Sequence, residues 1–144
     1  MIAIGCDHAA VALKESIIKF LTDMGYEVKD FGAGAGETAD YPDKALLVAE
    51  CVASGEADKG IVICGTGIGI SIAANKVKGI RCALCSDTFS AHATREHNDA
   101  NMLAFGERVV GAGLALKIVD IFFDTEYEGG RHQTRIDMIH ELEK

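Results

Sequence analysis

The run Gly60-Ile-Val-Ile-Cys64 is apolar without a break, and Gly65-Thr66-Gly67-Ile68-Gly69 follows it at once. A strand with no polar alternation has to be covered on both faces, which is the condition of a strand inside a parallel sheet. The same pattern recurs along the chain. Ile2–Cys6, Glu27–Phe31, Ile80–Cys85 and Met102–Phe105 read as further short strands. Helical stretches separate them. The first is Ala9–Met24, ended by Gly25. Pro42 sits where a second can begin, with Lys44–Ser54 continuing it. Ile70–Lys76, Thr88–Glu96, Gly111–Phe123 and Arg131–Glu143 follow.

Strands and helices in alternation predict an α/β fold with right-handed crossovers. We expect one domain over residues 1–144, a three-layer α/β/α sandwich of Rossmann-like type. Its five parallel strands are expected in the order 2-1-3-4-5. A chain of 144 residues buries roughly 68% of its unfolded surface, enough for a core without disulfide or metal support. The formal charge of −8 argues against a broad nucleic-acid or anionic-membrane surface. It also means that an anionic ligand needs a local basic cluster. The N-terminus reads as lacking a secretory leader, and no apolar run reaches the roughly 18 residues of a membrane span. Five cysteines, an odd number, are expected as reduced thiols of a cytoplasmic protein. Cys82 and Cys85 have redox or metal spacing, but three positions apart on a strand they point to opposite faces and read as core residues.

In such folds ligands bind at the carboxyl ends of the strands. Those ends deliver Cys6-Asp7-His8, Cys64-Gly65-Thr66, Ser86-Asp87 and Gly106-Glu107-Arg108. Cys64 precedes a glycine-rich turn that opens a helix. A thiol at a helix N-terminus is expected to have its pKa lowered to about 3.5–7.5. Its thiolate can serve as a general base, and the neighbouring N–H groups can hold an oxyanion. By position alone it can equally be a core cysteine. A dinucleotide fingerprint fails because the third glycine falls at 69 and Ile70 stands where it is required. A thiol phosphatase would want an arginine within 65–74, and a Walker loop would want Gly-Lys-Ser/Thr; both are absent. Arg131 and Arg135 lie four apart at the start of a helix, after Gly129-Gly130, and can clamp a phosphate or form a solvated face. Asp7 and His8 can both touch a ligand. His97-Asn98-Asp99-Ala100-Asn101 reads as a polar loop. His92 and His140 are assigned no role, and no metal site is expected.

Taken together, Gly5-Cys-Asp-His8, Asp40-Tyr-Pro42, Ile63–Lys76, Gly79-Ile-Arg81, Glu96–Asn101, Arg108-Val-Val-Gly111 and Gly129-Gly-Arg-His132 resemble ribose-5-phosphate isomerase type B. The resemblance runs over essentially the whole chain, and the wider family includes galactose-6-phosphate and allose-6-phosphate isomerases. It implies an aldose–ketose isomerisation of ribose 5-phosphate and ribulose 5-phosphate that needs no cofactor. It also implies a homodimer, sometimes paired into tetramers, whose active sites are each built by two subunits. On that resemblance Cys64 is the base of the C1–C2 proton transfer. His97 opens the furanose ring with help from Asp7. Gly65, Thr66, Gly67, Ile68, Gly69 and Ser71 form the anion hole. His8, Arg131 and Arg135 bind phosphate, Asn98 and Arg108 make further contacts, and Tyr41 lines the pocket. The cysteine at 64 places the chain with the thiol-base branch. The alternatives are a six-carbon substrate of the same family, or a non-catalytic phosphate- or nucleotide-sensing module.

Overall fold

The computed structural model describes residues 1–143. Five parallel strands form one sheet: β1 (Ile2–Cys6), β2 (Val28–Asp30), β3 (Lys59–Cys64), β4 (Cys82–Leu84) and β5 (Met102–Gly106). Six helices connect and follow them: α1 (Val11–Asp23), α2 (Tyr41–Ala53), α3 (Ile68–Ala74), α4 (Thr88–Asn98), α5 (Ala112–Asp124) and α6 (Arg131–Glu141). No helix among the described residues is long and apolar enough to cross a membrane.

The strand order is β2-β1-β3-β5-β4, which corrects the expected 2-1-3-4-5. Composition explains the exchange. Met102-Leu-Ala-Phe-Gly106 is buried at every position, as a strand with neighbours on both sides must be. Cys82-Ala-Leu84 is only three residues long and leaves Leu84 40% exposed, which suits a sheet edge.

The exchange also decides where α4 goes. Right-handed crossovers place a helix on one face when the chain steps one way along the sheet and on the other face when it steps back. From β4 to β5 the chain steps back. Accordingly α4 packs on α5, on the face that α1 also covers, and Leu13, Ile17, Ala91, Ile118 and Phe122 share one core with Ile61, Leu103 and Phe105. Helices α2 and α3 cover the other face, where Val48, Ala49, Ile70 and Ala74 meet Val62, Met102 and Ala104. Cys85 belongs to the first core and Cys82 packs against the second, so the two sulfurs do face opposite ways. Several helix limits differ from expectation by a turn or less; α3 begins two residues early, at Ile68, inside the glycine-rich turn.

One charge is built into the α1 side. Lys14 is 1% exposed, and its Nζ donates to both carboxylate oxygens of Asp30 at 2.8 Å, joining α1 to the end of β2. Removing the carboxylate leaves a buried ammonium unpaired. Asp30→Ala is expected to lower unfolding stability by about 2–3 kcal/mol, less than for a fully buried pair because Asp30 is half exposed. Lys14→Met, which removes the charge and keeps the apolar stem, should cost clearly less. Urea unfolding of the two variants checks this; a Lys14→Met penalty as large as that of Asp30→Ala would refute it.

Candidate active site

The first group of site residues gathers at the carboxyl edge of the sheet. Cys64 ends β3 opposite Gly106 of β5. It is 4% exposed, and the Gly67 N–H donates to its Sγ at 3.2 Å. Gly67 caps α3 at φ +80°, and a Cβ there would lie 2.6 Å from the Phe105 carbonyl carbon, so both backbone and space demand glycine. A Cβ on Gly106 would run into the Thr66 backbone. The turn and the end of β5 therefore touch backbone to backbone. The Glu107 and Arg108 N–H groups donate to the Cys64 and Gly65 carbonyls at 2.9 and 3.0 Å, and the exposed Arg108 side chain lies beside Gly65.

Within the turn, Thr66 Oγ1 accepts the Ile68 N–H at 3.2 Å, and Ser71 Oγ donates to the Ile68 carbonyl at 2.8 Å. The Gly69 and Ile70 amides sit in the first turn of α3, where a helix supplies no carbonyl partner. Tyr41, at the start of α2, lays its ring against Gly69. Asp7 follows β1, its N–H donating to the Ile63 carbonyl at 3.2 Å while its Oδ1 accepts the Ala9 N–H at 3.0 Å. His8 Nδ1 donates to the Ala39 carbonyl at 3.1 Å, which fixes the ring at the end of β1. Asp87, at another strand end, is spent on structure: its Oδ1 caps α4 by accepting the Ser90 N–H.

The second group lies at the opposite edge. His97 and Asn98 form the last turn of α4, which corrects the expected loop there; the chain leaves the helix at Asp99 in a left-handed conformation. Arg95 is buried beneath this turn, its Nη1 donating to Asp99 Oδ1 and to the Ala100 carbonyl, both at 2.8 Å. Arg81 clamps it from outside. Its Nε donates to the Asn98 carbonyl at 3.0 Å, its Nη2 to the Asp99 carbonyl at 2.8 Å, and its Nη1 pairs with His140 of α6 at 2.8 Å. Arg131 and Arg135 stand exposed at the start of α6, with Arg135 Nη1 donating to the Arg131 carbonyl at 3.1 Å.

Sequence reasoning missed two residues here, His132 and Glu128. The His132 ring stacks on His97 with centroids 4.5 Å apart, and its Nε2 donates to Glu128 Oε2 at 3.2 Å. The Gly129-Gly130 pair before Arg131-His132 was the available signal, but 35 positions separate His132 from His97. The ligand atoms of His97, Glu128 and His132 fall within 4.8 Å of one another, a donor set of the kind that zinc takes. The two rings, however, lie 19° from parallel and face each other rather than converging on a point.

The two groups do not meet within one chain. Register runs from Gly60↔Met102 to Cys64↔Gly106, four strand steps or about 13 Å. His97 lies before the start of β5, in α4 on one face of the sheet, and Cys64, at the end of β3, faces the α2 and α3 layer on the other. Burial also sorts the thiols. It pushes Cys6 and Cys85 up to about 11 and Cys82 to about 12, and raises Cys51, so all four stay protonated at neutral pH.

Comparison with known proteins identifies the family of this fold. The chain matches the family described as Ribose/Galactose Isomerase over residues 2–139. It is 54% identical to ribose-5-phosphate isomerase B of Escherichia coli over 143 residues, covering 99% of this chain and 96% of that one. The structure of ribose-5-phosphate isomerase B from Clostridium thermocellum superimposes with a TM-score of 0.97 at 60% identity, covering 99% and 96%. That of the Mycoplasma genitalium enzyme with bound ribulose-5-phosphate gives 0.94 at 43% identity, covering 99% and 95%. Matched from end to end and in every layer of the sheet, the chain belongs to the ribose/galactose isomerase family.

Proposed function

We propose that the protein interconverts ribose 5-phosphate and ribulose 5-phosphate, in an active site that two copies of the chain complete. The observation that carries this is Cys64. It is a nearly buried sulfur at a strand end that accepts the N–H of the adjoining turn, on the edge shared with Asp7, His8, Tyr41 and Arg108. The opposite edge carries the remaining parts: His97, Asn98, Arg131 and Arg135. A second copy presenting that edge to the first supplies them. This is how the site comes to hold both a base and a phosphate clamp.

The steps follow from the groups present. Arg131 and Arg135, with His8 of the other copy, hold the phosphate and fix the sugar's reach. His97, assisted by Asp7, moves a proton to the ring oxygen of the furanose as the C1 hydroxyl loses one, and the aldehyde forms. The Cys64 thiolate takes the proton from C2. Electrons pass to the C1 oxygen, giving an enediolate stabilised by N–H groups of the 65–69 turn and by the Ser71 hydroxyl once it turns from the Ile68 carbonyl. The C2 hydroxyl proton passes to the C1 oxygen as the thiol returns its proton to C1, and the ketose results. The hydrogen has moved from C2 to C1 with no net oxidation.

Incubated with ribose 5-phosphate in heavy water, the protein should place deuterium at C1 of the ketose and C2 of the aldose. Cys64→Ser should abolish this while leaving sugar-phosphate binding largely intact. Absence of exchange in the folded parent protein at several pH values would favour a sensing module.

The division of the site predicts complementation. Cys64→Ser and His97→Asn are each expected to be inactive. Mixed under conditions of subunit exchange, they should recover about one-quarter of parental activity, because half of the dimers are mixed and each of those holds one intact site. No recovery despite demonstrated exchange would place the whole site in one chain.

Arg135→Ala should raise KM about 10–100-fold with kcat little changed, the loss of one charge-assisted phosphate contact made equally in ground and transition states. Steady-state kinetics check it, and an unchanged KM would remove Arg135 from the clamp.

A further inference from the structure

His132 stands in the first turn of α6 and is 9% exposed. Its imidazole lies against that of His97, centroids 4.5 Å apart and planes 19° from parallel. Its Nε2 faces Glu128 Oε2 at 3.2 Å; a carboxylate accepts, so Nε2 carries the hydrogen. Glu128 is itself anchored, its N–H donating to the carbonyl of Glu96 at 3.1 Å, the residue before His97. The three side chains thus form a closed link between the end of α4 and the start of α6.

We propose that His132, held by Glu128, is a positioning residue for His97 in opening the sugar ring. This rests on the reading of His97 as the group that exchanges a proton with the ring oxygen. His97 is exposed, and the second torsion of a histidine is broad when nothing limits it. A proton transfer needs its nitrogen within about 2.6–3.2 Å of the oxygen. A flat ring stacked on one side restricts the imidazole plane and leaves its edge to face the substrate. The Glu128 carboxylate holds that ring in place and fixes its tautomer, as outer carboxylates do for other working histidines. His132 does not touch the sugar in this arrangement; it acts through His97.

The inference separates two measurements. Ribose 5-phosphate is a furanose and must be opened. Ribulose 5-phosphate has its C5 oxygen esterified and its carbonyl at C2, so it forms no furanose and enters as the open chain. Exchange of its C1 hydrogen with solvent needs Cys64 and the phosphate clamp but not ring opening. Turnover of ribose 5-phosphate and deuterium entry at C1 of ribulose 5-phosphate are therefore measured on the same preparations of parent, His97→Asn, His132→Ala and His132→Phe. His132→Ala is expected to slow ribose 5-phosphate turnover roughly 10–100-fold, the scale of a misplaced catalytic group, with exchange into ribulose 5-phosphate close to parental. His132→Phe keeps a flat ring against His97 and is expected to lose less; it carries the test if the alanine variant fails to fold. Equal losses in both measurements would make His132 merely structural, and no loss in either would make it idle; either result overturns the proposal. A split in His97→Asn with none in the His132 variants overturns this inference alone. No split in His97→Asn overturns the assignment of His97 itself, and this inference with it.

Discussion

The closest constraint in the molecule is the backbone contact between the 65–69 turn and the end of β5. Gly67 and Gly106 are the two points where the turn and the strand touch without side chains between them. That contact holds the Cys64 sulfur at the carboxyl edge and turns the Gly67 N–H onto it. It also requires β3 and β5 to be neighbours, with Cys64 opposite Gly106. A β-carbon on either glycine would part the turn from the strand and release the sulfur from its donor. The placement of Arg108 depends on the same junction, since its N–H closes onto Gly65.

Adjacency of β3 and β5 carries a second consequence through chirality. With β4 displaced to the edge, the β4–β5 crossover runs back along the sheet and puts α4 over the α1 and α5 face. Because α4 runs antiparallel to the strands, its last turn arrives at the amino edge. His97 is thereby carried away from Cys64 in both directions, along the strands and through the sheet. Arg95 from within and Arg81 from outside then lock the turn that bears it.

Much of this was legible in the residues. The unbroken apolar run at 60–64 and the glycines after it announce a central strand feeding a helix, and the structure places Cys64 there. The opposite facing of Cys82 and Cys85 follows from strand geometry alone. The order of the last two strands was open to a closer reading: Met102–Gly106 offers no polar residue to solvent, while Cys82–Leu84 is short and ends on an exposed leucine. His97 was misplaced in a loop because helix ends are set by capping geometry, here the left-handed Asp99, which local composition does not display. His132 was beyond reach, since its value comes from a neighbour brought in by the packing of α6 on α4. The Arg131–Arg135 pair was visible as a helix face, but which edge of the sheet that face would occupy was not.

Placement of the two reactive groups at opposite ends of one chain has a bearing on how catalysis responds to dilution. Under the proposed two-copy site, a lone chain has a base without a ring-opening histidine at one end and the reverse at the other. Turnover then obeys mass action of assembly as well as of substrate. Above the dissociation constant of the pair, rate scales with total chain; below it, rate falls with the square of concentration, and a saturating sugar phosphate that bridges both edges would draw the copies back together.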